Sequence, residues 1–412
     1  MQAVIITIGD ELLIGQVVDT NSAYIASQLN RYGIEVTEDV SVHDDAHQIR
    51  EALDEALHKS SIVLLTGGLG PTKDDITKKV LCDYFHTSLI EDEEVKSHVY
   101  ALYQDRPDVL NRLTATQWQV PANATILPNR VGSAPLMVWM QGGKCIVSMP
   151  GVPYEMQIAL DEQVLPFIAS HMLDQQMEHI THRTVLVHGL PESALAIRIE
   201  AWESALPQGM HLAYLPKDGT IRLRLSGYGV PSEQVDEQID KLLPLIQQYV
   251  LATEDKPLEV IAGELLRSQG QTIATAESCT GGRLAALLNA HAGSSAFYYG
   301  SVVAYDNSVK EHVLGVSAHD LQTCGAVSET VVRQMAEGVR NLLHADYAIA
   351  TSGIAGPDGG TKEKPVGTVW IAWATPQGTF AECFHLGKLR EQVTLRACNV
   401  ALVRLITHLR GM

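Results

Sequence analysis

The sequence predicts an α/β protein of three domains, the middle one small and α+β. Its 412 residues exceed one ordinary domain and suggest two or three. Apolar, β-branched runs alternate with amphipathic segments through the first 170 residues, a pattern that predicts a parallel sheet with helical crossovers. Glycine-rich segments follow several of these runs, as in proteins that bind ligands where strands end.

The first domain is predicted over residues 1–170. Its opening apolar run is typical of a strand buried on both faces. The predicted elements are a strand at 3–8, a helix from 20–22 to Gly33, a strand at 34–40, a helix at 45–59, a strand at 61–66 and a hairpin at 136–149.

The middle domain is predicted over 171–252 and the last over 257–412, joined by a charged linker that ends in proline. The middle domain should hold a strand at 182–189, a helix at 191–202, a half-buried strand at 220–226 and a helix at 232–249. The last should hold a helix from 258, strands at 271–276, 300–305 and 347–352, a hairpin at 367–384 and a terminal helix from about 390.

Charge and cysteine content exclude several classes of protein. The 48 acidic and 30 basic side chains give a formal charge of -18, which disfavours nucleic acid and anionic membranes as partners. Six scattered cysteines without a C-x-x-C pair predict neither a disulfide framework nor a zinc site. The N-terminal apolar run is interrupted by Asp10 and Glu11, so we expect a cytoplasmic protein without a signal peptide or membrane span.

Two acidic pairs in the first domain predict a metal site. Asp10 and Glu11 follow the first strand, and Asp74 and Asp75 follow the third, so both pairs should face one crevice. A divalent cation bound by these four carboxylates would offset their repulsion of a phosphate. The phosphate cradle is predicted from Gly67, Gly68, Gly70 and Thr72. The alternative is that Asp74 and Asp75 cap a helix and that Asp10 and Glu11 form a solvated turn.

A hydroxyl at a strand-to-helix turn in the last domain predicts nucleophilic catalysis. Ser278 precedes Thr280, Gly281 and Gly282, where backbone amides can form an oxyanion hole. No histidine lies in the neighbouring turns, so Lys310 is the candidate base, provided that its pKa falls from about 10.4 to about 7 or 8. The alternatives are that Ser278 is a helix cap, Lys310 lies on a solvated helix face and Cys279 is a core residue.

A second glycine-rich loop follows the strand at 347–352. Its position directly after an apolar strand favours a phosphate-binding loop over a flexible surface loop. The glycines assigned to substrate binding are Gly353, Gly356, Gly359 and Gly360.

Several long strings make the chain resemble the CinA family of competence/damage-inducible proteins over essentially its whole length. They are IGDELLIGQVVDTNS, TGGLGPTKDDIT, SMPGVPYEM, HLAYLPKDG, AESCTGG, GAVSE and SGIAGPDGGTKEKPVGTVW. The resemblance implies an N-terminal molybdopterin-binding (MoaB/MogA-like) three-layer domain, a KH-like middle domain and a C-terminal α/β deamidase domain.

The resemblance also implies two hydrolytic reactions of pyridine-nucleotide recycling. The N-terminal domain would convert ADP-ribose and water to AMP and ribose 5-phosphate, with a divalent metal (magnesium, manganese or cobalt) and with potassium as a further ion. The C-terminal domain would convert nicotinamide mononucleotide and water to nicotinate mononucleotide and ammonia without a cofactor. Ser278 would be the nucleophile, Lys310 the base and Tyr305 its flanking tyrosine, with Thr280 in the same catalytic motif. The protein is expected to be a homodimer.

The chain departs from the family pattern at three places. Leu136 stands where a glycine is usual and would crowd the nucleotide pocket, and residues 111–117 lack the usual lysine-glutamine pair. The motif before the final helix is also altered, which leaves Arg390 and Arg396 as candidates for the substrate contact, with Arg396 assigned. The KH-like domain has no Gly-x-x-Gly loop, so RNA binding does not follow. Two alternatives therefore stay open: a deamidase whose first domain only binds a nucleotide or pterin, and a regulatory protein linked to competence or repair.

Overall fold

The structure is a computed structural model that describes residues 1–111, 114–172, 180–217 and 219–411. The chain forms two compact units, one of residues 1–181 and 227–232 and the other of residues 182–226 and 233–412. Within the described ranges, no helix has the length and apolar character needed to cross a membrane.

The first unit is built on a six-stranded mixed sheet. The strands of the unit are β1 (Gln2–Ile8), β2 (Glu35–Val42), β3 (Ile62–Thr66), β4 (Leu89–Glu91), β5 (Gln119–Pro121), β6 (Thr125–Leu127), β7 (Leu136–Gln141) and β8 (Lys144–Met149). The sheet order is β2–β1–β3–β8–β7–β6, and β4 pairs separately with β5. β1, β2, β3 and β8 run parallel, whereas β7 and β8 form the antiparallel hairpin that the sequence predicts.

Helices cover both faces of this sheet. The helices of the unit are α1 (Asp10–Leu13), α2 (Asn21–Arg31), α3 (Ala46–Lys59), α4 (Thr77–Tyr84), α5 (Glu93–Leu102), α6 (Pro153–Ala159) and α7 (Leu165–Met172), with a π-helical turn at Leu160–Val164. Alternate residues of β1 enter opposite cores: Ile5 packs with Ile25 of α2, and Ile6 packs with Leu53 of α3. Burial on both faces explains the continuous apolar run of this strand.

The middle domain has a four-stranded sheet of order β10–β11–β9–β12. Its elements are β9 (Ile180–His188), α8 (Glu192–Glu203), β10 (Met210–Lys217), β11 (Thr220–Tyr228), α9 (Ser232–Ile246) and β12 (Val250–Ala252). The sequence does not predict β10, because Pro216 and Lys217 end a segment that is mostly half-buried or exposed.

The C-terminal domain has a five-stranded sheet. Its strands are β13 (Ile273–Glu277), β14 (Tyr298–Val303), β15 (Tyr347–Gly353), β16 (Thr368–Thr375) and β17 (Gly378–His385), in the order β14–β13–β15–β16–β17. Its helices are α10 (Leu258–Ser268), α11 (Arg283–Asn289), α12 (Asn307–His312), α13 (Ala318–Thr323), α14 (Glu329–Leu343) and α15 (Arg390–Leu409). Leu186 and Leu251 of the middle domain lie in the same apolar cluster as α10 and α15, so the two domains share a core.

Strand ends in the C-terminal sheet bring three segments of the chain together. β13 runs parallel to both β14 and β15, with Glu277 opposite Val303 on one side and Thr351 on the other. The amide of Ser278 donates to the Thr351 carbonyl (2.9 Å), and the amide of Ala304 donates to the Glu277 carbonyl (2.8 Å). The carboxyl edge of this sheet therefore carries the segments that begin at residues 278, 304 and 354.

Candidate active sites

A cavity of about 500 Å³ opens at the carboxyl edge of the first sheet. The segments after β1, β3 and β8 line it, as expected where parallel strands end. Of the predicted site residues, it is lined by Glu11, Gly67, Gly68, Gly70, Asp74 and Asp75. Asp10 and Thr72 lie outside its lining.

The glycine loop of this cavity is held by hydrogen bonds to β8 and within the loop. The Gly67 amide donates to the Met149 carbonyl (3.2 Å) and the Gly70 amide to Asp75 Oδ1 (2.8 Å), so neither is free for a phosphate. Gly68 has a φ of +64°, and a Cβ there would lie 2.2 Å from the Thr77 hydroxyl oxygen. The Gly67 amide is thus committed to β8, and the Gly70 amide is committed to the loop itself.

Asp75 closes this loop, whereas Asp74 is exposed. The second oxygen of Asp75, Oδ2, accepts from the Thr72 amide (2.9 Å) and also from the Thr72 hydroxyl. α4 has no side-chain cap, so the alternative that Asp74 and Asp75 cap a helix is wrong. Hydrogen bonding to Thr72 lowers the pKa of Asp74, which keeps it ionised.

Asp10 belongs to a second acidic group around Asp44. Asp10 Oδ1 lies 2.8 Å from Nδ1 of His43, and the Asp10 amide donates to Asp44 Oδ2 (3.2 Å). Burial raises the pKa of Asp44, and the charges of Asp10, Glu11 and Asp75 raise it further. Negative charge is therefore concentrated on this side of the cavity.

The predicted metal site is not assembled from these carboxylates. Within the described ranges, no three Asp, Glu, His or Cys side chains are grouped so that they can hold a metal ion. The donor types suit a hard divalent cation, and the crowding around Asp44 favours positive charge there. The geometry of Asp10, Glu11, Asp74 and Asp75 nevertheless does not fit a ligand set, so no chemical step is derived through a metal.

In the C-terminal domain, Ser278 directly follows β13 and is half-buried. The turn after it contains Gly281 and Gly282, whose φ angles of +60° and +95° favour glycine. α11 begins at Arg283. The predicted strand–turn–helix setting of the candidate nucleophile is therefore present.

A buried carboxylate that the sequence analysis missed organises this turn. Glu277 is 0% exposed, and its Oε2 accepts from the Thr280 hydroxyl (2.7 Å), the Gly282 amide (3.0 Å) and the Leu284 amide (3.1 Å). Its Oε1 accepts from the Ala285 amide (2.7 Å). A glutamate at the end of an apolar strand, just before a glycine turn, is the sequence signal that was available.

This network changes the expected oxyanion hole. The amides at the start of α11 are used by Glu277, and the Gly281 amide donates to the Ser278 carbonyl (3.2 Å). Among the described residues, the amides of Cys279 and Thr280 donate to no backbone carbonyl, which makes them the candidate donors for a developing oxyanion. The Thr280 hydroxyl is buried between Glu277 and Thr351, so it supports the turn rather than facing substrate.

Lys310 is buried beside this turn, not on a solvated helix face. It is 1% exposed, and Nζ donates to the carbonyls of Ala304 (2.8 Å) and Tyr305 (3.0 Å). Burial lowers the pKa of Lys310, and the nearby Asp306 and Cys279 oppose this shift. Asp306 caps α12 through the Ser308 amide (2.8 Å), which fixes the helix that carries the lysine.

Cys279 does not compete with Ser278 as a nucleophile. Its side chain is buried, and burial raises the pKa of the thiol to about 12. The thiolate is the reactive form of cysteine, so this thiol is inert near neutral pH. The interpretation of Cys279 as a core residue agrees with this environment.

Tyr305 and Arg390 lie at the open side of the site. Tyr305 is 64% exposed, and Arg390 Nη2 lies 3.5 Å from its hydroxyl oxygen. Arg390 Nη1 also donates to the Gly356 carbonyl (3.0 Å), which joins the second glycine loop to this side.

Two glycines of the second glycine loop are required by packing. A Cβ would lie 2.6 Å from Val366 Cγ1 at Gly356 and 2.8 Å from the Val366 nitrogen at Gly360. Gly353, at the end of β15, faces the backbone of β16, and Gly359 has a φ of +89°.

Sequence comparisons match all three parts of the chain to known families. The description "CinA C-terminal domain" matches residues 255–409, "Damage-inducible protein CinA KH domain" matches 182–252 and "Probable molybdopterin binding domain" matches 4–170. A CinA-like protein of Cytophaga hutchinsonii is 46% identical over 98% of this chain and 96% of its own. Another, from Flavobacterium psychrophilum, is 44% identical over 98% of this chain and 97% of its own.

The chain belongs to the CinA family. Its three-domain architecture is that of a molybdopterin-binding-like domain, a KH domain and a CinA C-terminal domain. Among solved structures, the competence damage-inducible protein A of Klebsiella pneumoniae is 41% identical, with a TM-score of 0.36, over 37% of this chain and 95% of its own.

One expectation drawn from the departures in this CinA chain is corrected by the structure. Leu136 is 0% exposed in the core and does not line the cavity, so it does not crowd a nucleotide pocket. The choice between Arg390 and Arg396 stays a prediction: Arg396 donates to the Leu386 carbonyl (3.2 Å), whereas Arg390 contacts Tyr305, and the second position favours Arg390 as the substrate contact. Residues 112 and 113 of the altered segment at 111–117 lie outside the described residues.

Proposed function

We propose that the C-terminal domain hydrolyses the carboxamide of nicotinamide mononucleotide to nicotinate mononucleotide and ammonia, with Ser278 as nucleophile and Lys310 as base. The main support for this proposal is the environment of the Lys310 amine. A neutral amine has two N–H groups and one lone pair. The carbonyls of Ala304 and Tyr305 accept two hydrogen bonds from Nζ, which leaves the lone pair available to take a proton.

The chemical steps follow from these groups. Ser278 Oγ attacks the carboxamide carbon as its proton passes to Lys310 Nζ, and the oxyanion is stabilised by the amides of Cys279 and Thr280. The tetrahedral intermediate collapses, the C–N bond breaks, and ammonia leaves with the proton from Lys310. Water then attacks the acyl-enzyme ester, with Lys310 again accepting and returning the proton, and releases the carboxylate.

The test is ammonia release from nicotinamide mononucleotide by the full-length protein and by Ser278→Ala. We expect the substitution to lower kcat at least 1,000-fold, because it removes the group that forms the acyl-enzyme. Ser295→Ala, at an exposed position in the same domain, is the matched control and should retain full activity. Unchanged ammonia release by Ser278→Ala would show that Ser278 is not the nucleophile.

We further propose that the N-terminal domain cleaves the pyrophosphate of ADP-ribose to AMP and ribose 5-phosphate. The cavity of about 500 Å³ is large enough for part of a nucleotide and contains the glycine loop after β3. The acidic group around Asp44 supports a dependence on cations, since a phosphate would otherwise meet uncompensated negative charge.

This second activity is tested by AMP formation in magnesium, manganese or cobalt and in EDTA. EDTA should abolish AMP formation and leave ammonia release unchanged, as two independent sites require. If no metal supports AMP formation, the first domain is a binding module only. If neither substrate turns over, the regulatory alternative gains support.

A further inference from the structure

Thr351, near the end of β15, holds the turn that carries Ser278 at two points. Its carbonyl accepts from the Ser278 amide (2.9 Å), and its hydroxyl oxygen lies 2.7 Å from that of Thr280. Thr351 pairs with Glu277 across the parallel strands β13 and β15, which places it beside the turn that follows β13. Its side chain is 0% exposed, so it does not touch substrate itself.

The direction of the hydroxyl hydrogen bonds follows from Glu277. Its carboxylate accepts from three backbone amides around the start of α11, and an ionised carboxylate has no proton to give. The Thr280 hydroxyl therefore donates its one proton to Glu277 Oε2 (2.7 Å). The Thr280 oxygen can then only accept from Thr351, so the Thr351 hydroxyl is the donor in that pair. The three side chains form a buried hydrogen-bond chain that runs in one direction, from Thr351 through Thr280 to Glu277.

The two candidate oxyanion donors lie between the points that Thr351 holds. Along the chain, the amides of Cys279 and Thr280 come after the Ser278 amide, which is bonded to the Thr351 carbonyl, and before the Thr280 side chain, which is bonded to the Thr351 hydroxyl. One residue of β15 thus fixes the turn on both sides of these amides. An oxyanion donor stabilises the transition state only when it points at the position of the oxyanion, so a small rotation of this turn would lower the rate.

We propose that Thr351 is a positioning residue of the C-terminal site, whose hydroxyl orients the amides of Cys279 and Thr280 by holding the Thr280 side chain. This inference rests on the proposed serine mechanism and adds to it a residue that takes no part in bond making. The contact of the Thr351 carbonyl needs no particular side chain, whereas the contact with Thr280 needs a hydroxyl. Serine can supply that hydroxyl, and valine, which has nearly the shape of threonine, cannot.

The experiment compares Thr351→Val and Thr351→Ser with the full-length wild type in two assays. Ammonia release from nicotinamide mononucleotide gives kcat and KM. The rate at which a fluorophosphonate modifies Ser278, followed by mass spectrometry, reports the nucleophile without that substrate. Thr275→Val is the matched control, because Thr275 is also 0% exposed in this sheet and its hydroxyl oxygen lies 3.3 Å from that of Tyr298. Urea denaturation measures the stability of each variant.

Thr351→Val should lower kcat at least tenfold and leave KM within twofold, because the orientation of the oxyanion donors matters in the transition state. The rate of Ser278 modification should fall by a similar factor, since negative charge also develops on the phosphonyl oxygen. Thr351→Ser should stay within threefold of the wild type in both assays, and Thr275→Val within twofold. The pH–rate profile of Thr351→Val should keep the apparent pKa of the wild type, because the contacts of Lys310 are unchanged.

Three results would overturn the proposal. Wild-type rates for Thr351→Val in both assays would show that the hydroxyl does not orient the turn. Equal losses in Thr351→Val and Thr351→Ser would assign Thr351 to packing alone, and a higher KM at unchanged kcat would place its effect in substrate binding. If the wild type is modified at Ser278 but releases no ammonia, the modification rates still decide the role of Thr351, and only the deamidase proposal fails. A wild type that is neither modified nor active would remove both.

Discussion

The two candidate sites use charged side chains in opposite ways. In the C-terminal site, Glu277 and Lys310 are 0% and 1% exposed, and each is surrounded by hydrogen-bond partners from the main chain. At the N-terminal site, Glu11 and Asp74 in the cavity lining are exposed, and so is Asp10 outside it. In the C-terminal site, the two charged groups have their hydrogen-bond partners within the protein. In the N-terminal site, the negative charges of the exposed carboxylates still need a counter-charge.

The difference in burial indicates which groups each site can use for chemistry. Burial has already shifted the Lys310 amine towards its neutral form, so the C-terminal site can act with its own residues. The N-terminal carboxylates are not grouped as metal ligands, so this site depends on what enters it. Substitutions that remove charge should therefore have large effects at the first site and small effects on the stability of the second.

The largest effect is expected at Lys310. Lys310→Arg keeps a positive charge but cannot lose its proton, so ammonia release should fall at least 1,000-fold, as it should in Lys310→Met. In the wild type the rate should rise with pH as the amine deprotonates, with an apparent pKa below the ordinary value for lysine.

The matched control for Lys310 is Lys256→Met, at a surface lysine in the linker. Its pH–rate profile should match that of the wild type. A Lys310→Arg variant that retains activity, or a rate that falls as pH rises towards 9, would contradict the assignment of Lys310 as base. AMP formation should be unaffected in every variant.

The second prediction compares the effects of neutralising a buried carboxylate, Glu277, and an exposed one, Asp10. Glu277→Gln places an NH₂ group against amide donors and should cost about 2 kcal/mol of stability and lower kcat at least tenfold. Asp10→Asn removes the charge of an exposed carboxylate whose Oδ1 contacts His43 and the Asp44 amide, and it should change the free energy of unfolding by less than about 0.5 kcal/mol. Urea denaturation and ammonia release measure the two consequences, and equal losses of stability in the two variants would refute the contrast.

A smaller effect separates the two arginines of the C-terminal site. Arg390→Ala should raise KM for nicotinamide mononucleotide about tenfold with little change in kcat, because Arg390 lies on the open side beside Tyr305. Arg396→Ala, which loses a bond to the Leu386 carbonyl, should leave KM within about twofold. Steady-state kinetics of both variants decide the assignment, and the reverse order would restore Arg396.

The sequence predicts features that depend on local residue patterns, such as the ends of strands. It does not predict features that depend on how side chains are buried in the tertiary structure. The apolar run of β1 and the glycine turn after Ser278 identify strand ends correctly. Leu136 was misjudged because its burial depends on how β7 packs in the sheet. Glu277 gains its role from partners that the fold brings to it, the amides of α11. The start of α2 shows the same limit, because the side chain that accepts from the amides of Asn21 and Ser22 is that of Asp19, which precedes the predicted helix start at 20–22.

The last prediction concerns Lys78, the buried lysine of the N-terminal unit. It is 9% exposed, and burial lowers its pKa to about 8, so the folded form favours the neutral amine. Between about pH 8 and 10.5 the unfolded chain holds a proton that the folded chain has lost, so stability should rise with pH by up to about 3 kcal/mol. Lys78→Met should remove this rise, whereas Lys79→Met, at an exposed neighbour, should retain it. Pulse proteolysis across urea at pH 7.5, 9 and 10, scored on fragments of the first unit, measures the difference. Identical pH dependence in wild type and Lys78→Met would show that Lys78 stays charged in the folded unit over this pH range. The two candidate sites would then differ only in how exposed their charged side chains are.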